Sequence, residues 1–260
     1  MTTPLLQLSD VAVAFGGVHA VRNVTIDLFP GEVVGLVGGN GAGKSTLTKV
    51  LSGAQTADSG EIYINGQKAT IGNPRDAKTY GIECIYQTLA LADNLDAPAN
   101  LFLGRELTTR VGNLDDDRME DATRKVMGRL NPNFTRFSTA VRSLSGGQRQ
   151  AVAIARAVYF NAKILIMDEP TAALGPAETA QVRNLVRQLK ADGIGILLIS
   201  HDIHDVYDLS DRVSVMYHGQ IVDTVNKDEV DTDGILGMII LGKKPGDVTA
   251  KDREELELRG

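Results

Sequence analysis

The sequence predicts an α/β fold: a doubly wound, buried core sheet, with an antiparallel β subdomain towards the N-terminus and a helical subdomain inserted in the middle. Three observations carry this. The apolar run Val33 to Val37 passes through a glycine-rich stretch, Gly38 to Ser45, into a helical run from Lys44 to Leu51 that stops at Gly53, which reads as strand, loop, helix. Two more apolar runs, Ile164 to Met167 and Ile194 to Ser200, end on Asp168-Glu169 and on His201, as buried strands do when they deliver polar groups to the ligand-binding edge of an open sheet. From Thr88 to about Pro132 the pattern turns helical, interrupting the strand-rich regions on either side.

Gly38-Gly39-Asn40-Gly41-Ala42-Gly43-Lys44-Ser45 fills every fixed position of G-x-x-x-x-G-K-[ST], in the strand-to-helix context that the pattern requires. Such glycines let backbone N–H groups turn inward around β- and γ-phosphate oxygens, at the positive end of the helix that follows. Lys44 adds a mobile positive charge. Ser45 has the hydroxyl position that ligates Mg²⁺ in loops of this kind, with Thr46 behind it. The core is thus expected to be a P-loop NTPase sheet.

Composition narrows the classes. A chain of 260 residues buries a full core as one domain with an inserted subdomain, expected over residues 1–242 with the helical part at about 88–160. A formal charge of −6 offers no basic field for nucleic acid. The one cysteine, Cys84, excludes an intramolecular disulfide and reads as a small core residue. No apolar run approaches the ~20 residues of a membrane-spanning helix. Met1-Thr2-Thr3-Pro4 lacks the features of a secretion signal, so the expected location is the cytoplasm.

In chain order, Leu5 to Phe15 alternates apolar and polar residues, as antiparallel strands with one covered face do, and Val18 to Leu28 follows as a second strand. Phe15, beside Gly16-Gly17, reads equally as a core aromatic or as a ring on which adenine stacks. Phe29-Pro30-Gly31-Glu32 turns the chain into the strand before the phosphate loop. Asp58-Ser59-Gly60 and Asn65-Gly66 bracket Glu61 to Ile64 as a hairpin, and Gly81 to Tyr86 is a strand that ends on Gln87. Ala97 to Leu103 and Asp116 to Leu130 are helices; Asp115-Asp116-Asp117 reads as a helix cap rather than a metal site. Leu144-Ser145-Gly146-Gly147-Gln148 precedes a helical run from Ala151 to Phe160, and bare N–H groups at a helix start bind anions.

Asp168 has the position that helps hold Mg²⁺ opposite Ser45, and Glu169, directed to the other side of the strand, could polarise an attacking water; the alternative is two acids that only cap a strand. Ala177 to Ala191 is an amphipathic helix with Val182, Leu185, Val186 and Leu189 on one face. His201 and His204 lack further ligands at zinc spacing. Asp211 to Asp223 reads as a hairpin turning at His218-Gly219, Asp231 to Leu241 as a last helix, and 243–260 as a charged tail.

The phosphate loop, Gln87, Leu144 to Gln148, Asp168-Glu169 and His201 occur in the order and rough spacing of the ATP-binding cassette (ABC) ATPases, which the chain resembles over nearly its whole length. Tyr86 to Leu95, Ala155 to Phe160 and Ser200 to Val206 are similar to the carbohydrate-import branch, with the bacterial fructose, ribose and xylose importers nearest. The resemblance implies ATP as substrate and Mg²⁺ as cofactor. It implies that Phe15 stacks on adenine, that Gly38 to Thr46 wraps the phosphates, and that Gln87 touches Mg²⁺ or the attacking water and signals to a membrane subunit. It further implies that Glu169 orients or deprotonates the water and that His201 contacts the γ-phosphate. Ser145, Gly146 and Gly147, with Gln148, would close over ATP held by a second subunit, which implies a homodimer or a pairing with a second cassette protein. The implied partners are a transmembrane permease and, through it, a substrate-binding protein, at the inner face of the cell membrane.

Two positions depart from the family pattern: Gly39 stands where this branch usually has Glu or Asp, and Gly175 where many members have Asp. A subunit that binds nucleotide without turnover is the rival class, and the presence of Glu169 and His201 argues against it. Cassettes acting on DNA or ribosomes need a coiled-coil insertion or two cassettes with a basic linker, and no G-x-G-x-x-G run with a spaced acid supports a dinucleotide enzyme.

Overall fold

The computed structural model describes residues 3–172 and 174–249. The chain begins with a long hairpin, β1 (Leu6–Phe15) and β2 (Val18–Leu28), and then enters β3 (Val33–Val37), whose five residues are all buried. The helix α1 (Lys44–Leu51) follows the glycine-rich loop. Next come β4 (Ser59–Ile64), β5 (Gln67–Ala69), α2 (Pro74–Thr79) and β6 (Ile82–Ile85). The middle of the chain holds α3 (Ala97–Phe102), α4 (Asp116–Leu130) and α5 (Gly146–Tyr159). It then alternates through β7 (Ile164–Asp168), α6 (Pro176–Ala191), β8 (Gly195–Ile199) and α7 (Ile203–Leu209). The hairpin β9 (Arg212–Tyr217) and β10 (Gln220–Asn226) and the helix α8 (Thr232–Leu241) complete it.

Two sheets result. The first is antiparallel, with strand order β2-β1-β4-β5; the second has order β10-β9-β3-β8-β7-β6 and is parallel from β9 to β6. Strand alternation then divides the core. Ile164 and Ile166, Leu197 and Ile199, and Val34 and Leu36 face the antiparallel sheet and α1. Leu165 and Met167, Ile196 and Leu198, and Val33 face the helices, where Phe102, Met127 and Ile154 are fully buried. Buried on both faces, these strands read as continuous apolar runs, which is why sequence alone located them. The order places the C-terminal ends of β3, β7 and β8 side by side, so their following loops share one edge.

Local chemistry explains most helix starts. Asp115 accepts a hydrogen bond from the Arg118 N–H, so the acidic run caps α4 as expected, and Asp231 does the same for α8. Helix α5 begins at Gly146, five residues earlier than its apolar periodicity shows, because Ser145 and Gln148 form a reciprocal capping box. Helices α2 and α7 are too short to show periodicity, although Asn73-Pro74 and Asp202 cap them. Much of 88–132 is not helical: Leu89 and Ala90 have left-handed backbone, and Thr108 bridges Leu114. The last hairpin runs on to Asn226. Of the tail, residues 243–249 hold a 3₁₀ turn at Pro245–Asp247, and the remainder lies outside the described residues. Among the described residues no helix is long and apolar enough to cross a membrane.

Cys84 packs at the edge of the core, and burial pushes its thiol up to about 12. At pH 8 only about one molecule in ten thousand then carries the reactive thiolate. Iodoacetamide labelling of the folded chain at pH 8, followed by mass spectrometry, is expected to run at least about 100-fold slower than labelling in denaturant.

Candidate active site

Gly43 is the N-cap of helix α1; its φ of 111° suits glycine, and no side chain caps the helix. The other α-helices described here carry a side-chain cap or, for α6, a Glu178 carboxylate that reaches back to the Gly175 N–H at 3.2 Å. The first-turn N–H groups of α1 are therefore left for an anion. Lys44 Nζ donates to the carbonyls of Gly38 at 2.7 Å and Gly39 at 3.1 Å, folding the charge back over the loop. The tight turn leaves no room for side chains at its ends: a Cβ on Gly38 would lie 2.2 Å from the Met216 carbonyl oxygen, and one on Gly43 2.4 Å from that of Ala20. A Cβ on Gly39 meets nothing within 4 Å, so the departure at this position leaves the packing untouched.

Phe15 is half exposed, and with Ala20 and the residues Asn40 to Thr46 it lines a cavity of about 340 Å³. The ring is therefore not enclosed as a core aromatic but stands at the mouth of the loop.

Asp168 closes β7. Glu169 steps out of the strand into left-handed backbone, φ 52°, where its N–H donates to the Ile199 carbonyl at 2.8 Å. The turn, rather than strand alternation, therefore directs its side chain. A non-glycine residue in this conformation costs about 1–2 kcal/mol, and such strain clusters at functional sites. Glu169 Oε2 lies 2.6 Å from His201 Nδ1 and accepts a 3.4 Å hydrogen bond from the Ser200 hydroxyl. Glu169, Ser200 and His201 share a cavity of about 250 Å³ with Asp202, Arg183 and Asp205. His201 is 72% exposed, so its ring stands at an open face.

Charge links this pair to the phosphate loop. Burial lowers the Lys44 pKa, while Glu169 and Asp168 pull it back up. Burial raises the Asp168 pKa, Glu169 raises it further, and Lys44 opposes both. Two carboxylates facing one lysine favour a divalent cation. The Asp168 carboxylate and the Ser45 hydroxyl are hard oxygen donors of the kind Mg²⁺ takes together with waters and substrate phosphates. Among the described residues no group of three or more His, Cys, Asp or Glu is placed to hold a metal.

The remaining expected residues lie apart. Gln87 lines a separate recess with Leu89, Asp93 and Arg149. Ser145, Gly146, Gly147 and Gln148 form the start of α5, and none of them lines the cavity at the phosphate loop of the same chain. Sequence reasoning missed their neighbour, Glu178. Its carboxylate accepts from Gly147 N–H at 3.4 Å as well as from Gly175, and these backbone donors and the Ser145 side chain lower its pKa. A Cβ on Gly146 would lie 2.4 Å from Leu174 Cδ2, so the glycine pair also permits close packing against the start of α6. The one sequence signal was Glu178 two residues after Pro176, a capping-box spacing.

A sequence profile of the family described as "ABC transporter" matches residues 21–172. The "Xylose/arabinose import ATP-binding protein XylG" of Sulfolobus acidocaldarius is 43% identical over 248 residues, which cover 92% of this chain and 98% of that protein. The "Ribose import ATP-binding protein RbsA 2" of Escherichia coli O157:H7 is 43% identical over 253 residues, 97% of this chain but 49% of that protein, so the chain spans about half the length of that relative. Among solved structures, the ADP conformation of MJ1267, an ATP-binding cassette of an ABC transporter, superposes with a TM-score of 0.78 at 29% identity, covering 92% of this chain and 95% of that one. A nucleotide-free cassette from an ABC transporter gives a TM-score of 0.76 at 29% identity, covering 87% and 93%. The uncapped loop before α1 and the carboxylate–histidine pair at the same sheet edge thus stand in a chain that belongs to the ABC transporter family and has the fold of its ATP-binding cassettes.

Proposed function

We propose that this chain is the ATP-hydrolysing subunit of an ABC importer for a monosaccharide. The observation that carries the reading is the placement, on one sheet edge, of a phosphate loop with free helix N–H groups and a Glu169–His201 pair coupled electrostatically to it through Lys44. ATP phosphates lie on the start of α1 with Lys44 against them, and adenine lies on the Phe15 ring. Ser45 and Asp168 would hold Mg²⁺ together with the phosphates, and Gln87 would reach it or the attacking water from its recess. Bound there, the cation offsets phosphate charge.

Glu169 accepts the proton of the attacking water as its oxygen bonds to the γ-phosphorus. The bond from that phosphorus to the bridging oxygen breaks, giving ADP and inorganic phosphate. His201, held by Glu169, presents its ring to the γ-phosphate. Ser145 to Gln148 act on ATP of a second copy, a reading supported by their absence from the lining of the chain's own phosphate-loop cavity. Two copies then enclose two nucleotides, and loss of the γ-phosphate releases them. The segment of about 88–160, with Gln87 at its root, passes this motion to a transmembrane permease at the inner face of the membrane, fed by a substrate-binding protein. The sugar class rests on the relatives, named for xylose/arabinose and ribose import; the sequence likeness to fructose importers adds a ketohexose to the candidates.

The test is the steady-state MgATPase rate of the purified chain against its own concentration, then with the cognate permease and binding protein in proteoliposomes. The expected results are a rate rising more steeply than first order and a further rise when xylose, ribose or fructose is supplied. A rate strictly linear in chain concentration at all dilutions would overturn the two-copy site. Stimulation by none of these sugars would overturn the transport assignment.

A further inference from the structure

Arg183, in the middle of α6, lines the same cavity as Glu169 and His201, yet nothing in the pattern of motifs gives it a part. Its guanidinium directs Nε, at 2.8 Å, and Nη2 to one oxygen of Asp205, and Nη1 lies 3.6 Å from Asp208 Oδ2. Asp205 is 3% exposed, a depth at which a carboxylate is tolerated only when paired and hydrogen-bonded. Its backbone is committed too. The N–H groups of Asp205 and His204 donate to Asp202 Oδ1, which caps α7. The Asp202 N–H donates to the Ser200 hydroxyl oxygen at 3.0 Å, and that hydroxyl donates to Glu169 Oε2. An unbroken line of polar contacts therefore runs from α6 through the first turn of α7 to both members of the catalytic pair, and His201 is the residue just before the cap.

We propose that Arg183 is a positioning residue for hydrolysis: by clamping Asp205 it fixes the first turn of α7, and with it the approach of His201 to Glu169. The inference rests on the ATPase reading and deepens it. A guanidinium suits this task because its planar fork meets a carboxylate with two N–H groups in a defined direction, where an ammonium supplies a point charge on a flexible stem. Neither Arg183 nor Asp205 lines the cavity at the phosphate loop, so ATP affinity is not expected to depend on them.

The test compares the full chain with Arg183→Met, Arg183→Lys, Asp205→Asn and the double variant Arg183→Met/Asp205→Asn. Steady-state ATPase, thermal melts, and the His201 imidazole NMR shift read against those of His19 and His218 are measured for each. Arg183→Met is expected to lower kcat at least about 10-fold, with KM for ATP within about twofold. Arg183→Lys should recover part of the loss, and the double variant should be no worse than the poorer single one. The His201 resonance should move in Arg183→Met while those of His19 and His218 stay. A kcat per folded molecule equal to the parent's, or single losses that multiply in the double variant, would overturn the role. If the parent chain itself hydrolyses no ATP, the ATPase reading fails, and the NMR arm still decides the positioning claim: an unmoved His201 signal sinks it.

Discussion

Glu169→Gln is expected to lower kcat by about 10²- to 10⁴-fold, the share a positioned general base contributes, while leaving ATP binding in place. The amide keeps the shape of the side chain, and its oxygen can still accept the Ser200 hydroxyl; what it loses is the ability to take a proton and the charge that faces His201 and Lys44. Binding should survive because the proposed phosphate contacts come from the loop and the uncapped start of α1, neither of which the substitution touches. With binding intact and cleavage blocked, the nucleotide-enclosed two-copy state should accumulate. Single-turnover hydrolysis and native mass with MgATP read the two effects separately. A variant that turns over at the parent rate would remove Glu169 from the chemistry. A variant that is inactive yet stays monomeric with ATP would separate the base from the proposed two-copy site.

Lys44→Ala is expected to weaken ATP binding roughly 10- to 150-fold, from the loss of charged hydrogen bonds worth about 1.5–3 kcal/mol, and to abolish measurable turnover. Lys44 also holds the carbonyls of Gly38 and Gly39, so its removal frees the loop that should meet the phosphates. The sign of its pH dependence follows from burial, which disfavours the charged ammonium and lowers its pKa. Lys44 therefore loses its proton at a lower pH than an exposed lysine, and ATP affinity should decline earlier on the alkaline side. Calorimetric titration with ATP across alkaline pH checks this. The decline should vanish in Lys44→Ala, and an identical decline in that variant would assign it to another group.

Much of the fold is legible in the sequence because its signals are local. Buried strands such as Val33–Val37 and Ile164–Asp168 announce themselves as unbroken apolar runs, and Asp115 and Asp231 mark helix starts through contacts a few residues long. The short helices α2 and α7 carry too few turns to show a period, and the early start of α5 depends on a capping box at a glycine pair rather than on apolar spacing. At the site, the type of chemistry was legible from residue kinds: a lysine after glycines, acids after one strand, a histidine after another.

The set of parts and the strand ends that carry them are thus written in local sequence, since a side-chain alternation of two and a glycine-bearing turn are properties of a few consecutive residues. How the parts engage comes from the packed chain: Glu169 leaves its strand in left-handed backbone to meet His201 at 2.6 Å, Gln87 stands in a recess of its own, Glu178 accepts from the Gly147 N–H at the start of α5, and Arg183 pairs with Asp205 of α7. These partners lie far apart along the chain. Glu169 and His201 are brought together by the register of two parallel strands, and Arg183 and Asp205 by the packing of α6 against α7, so each pairing depends on long-range order that no local pattern encodes.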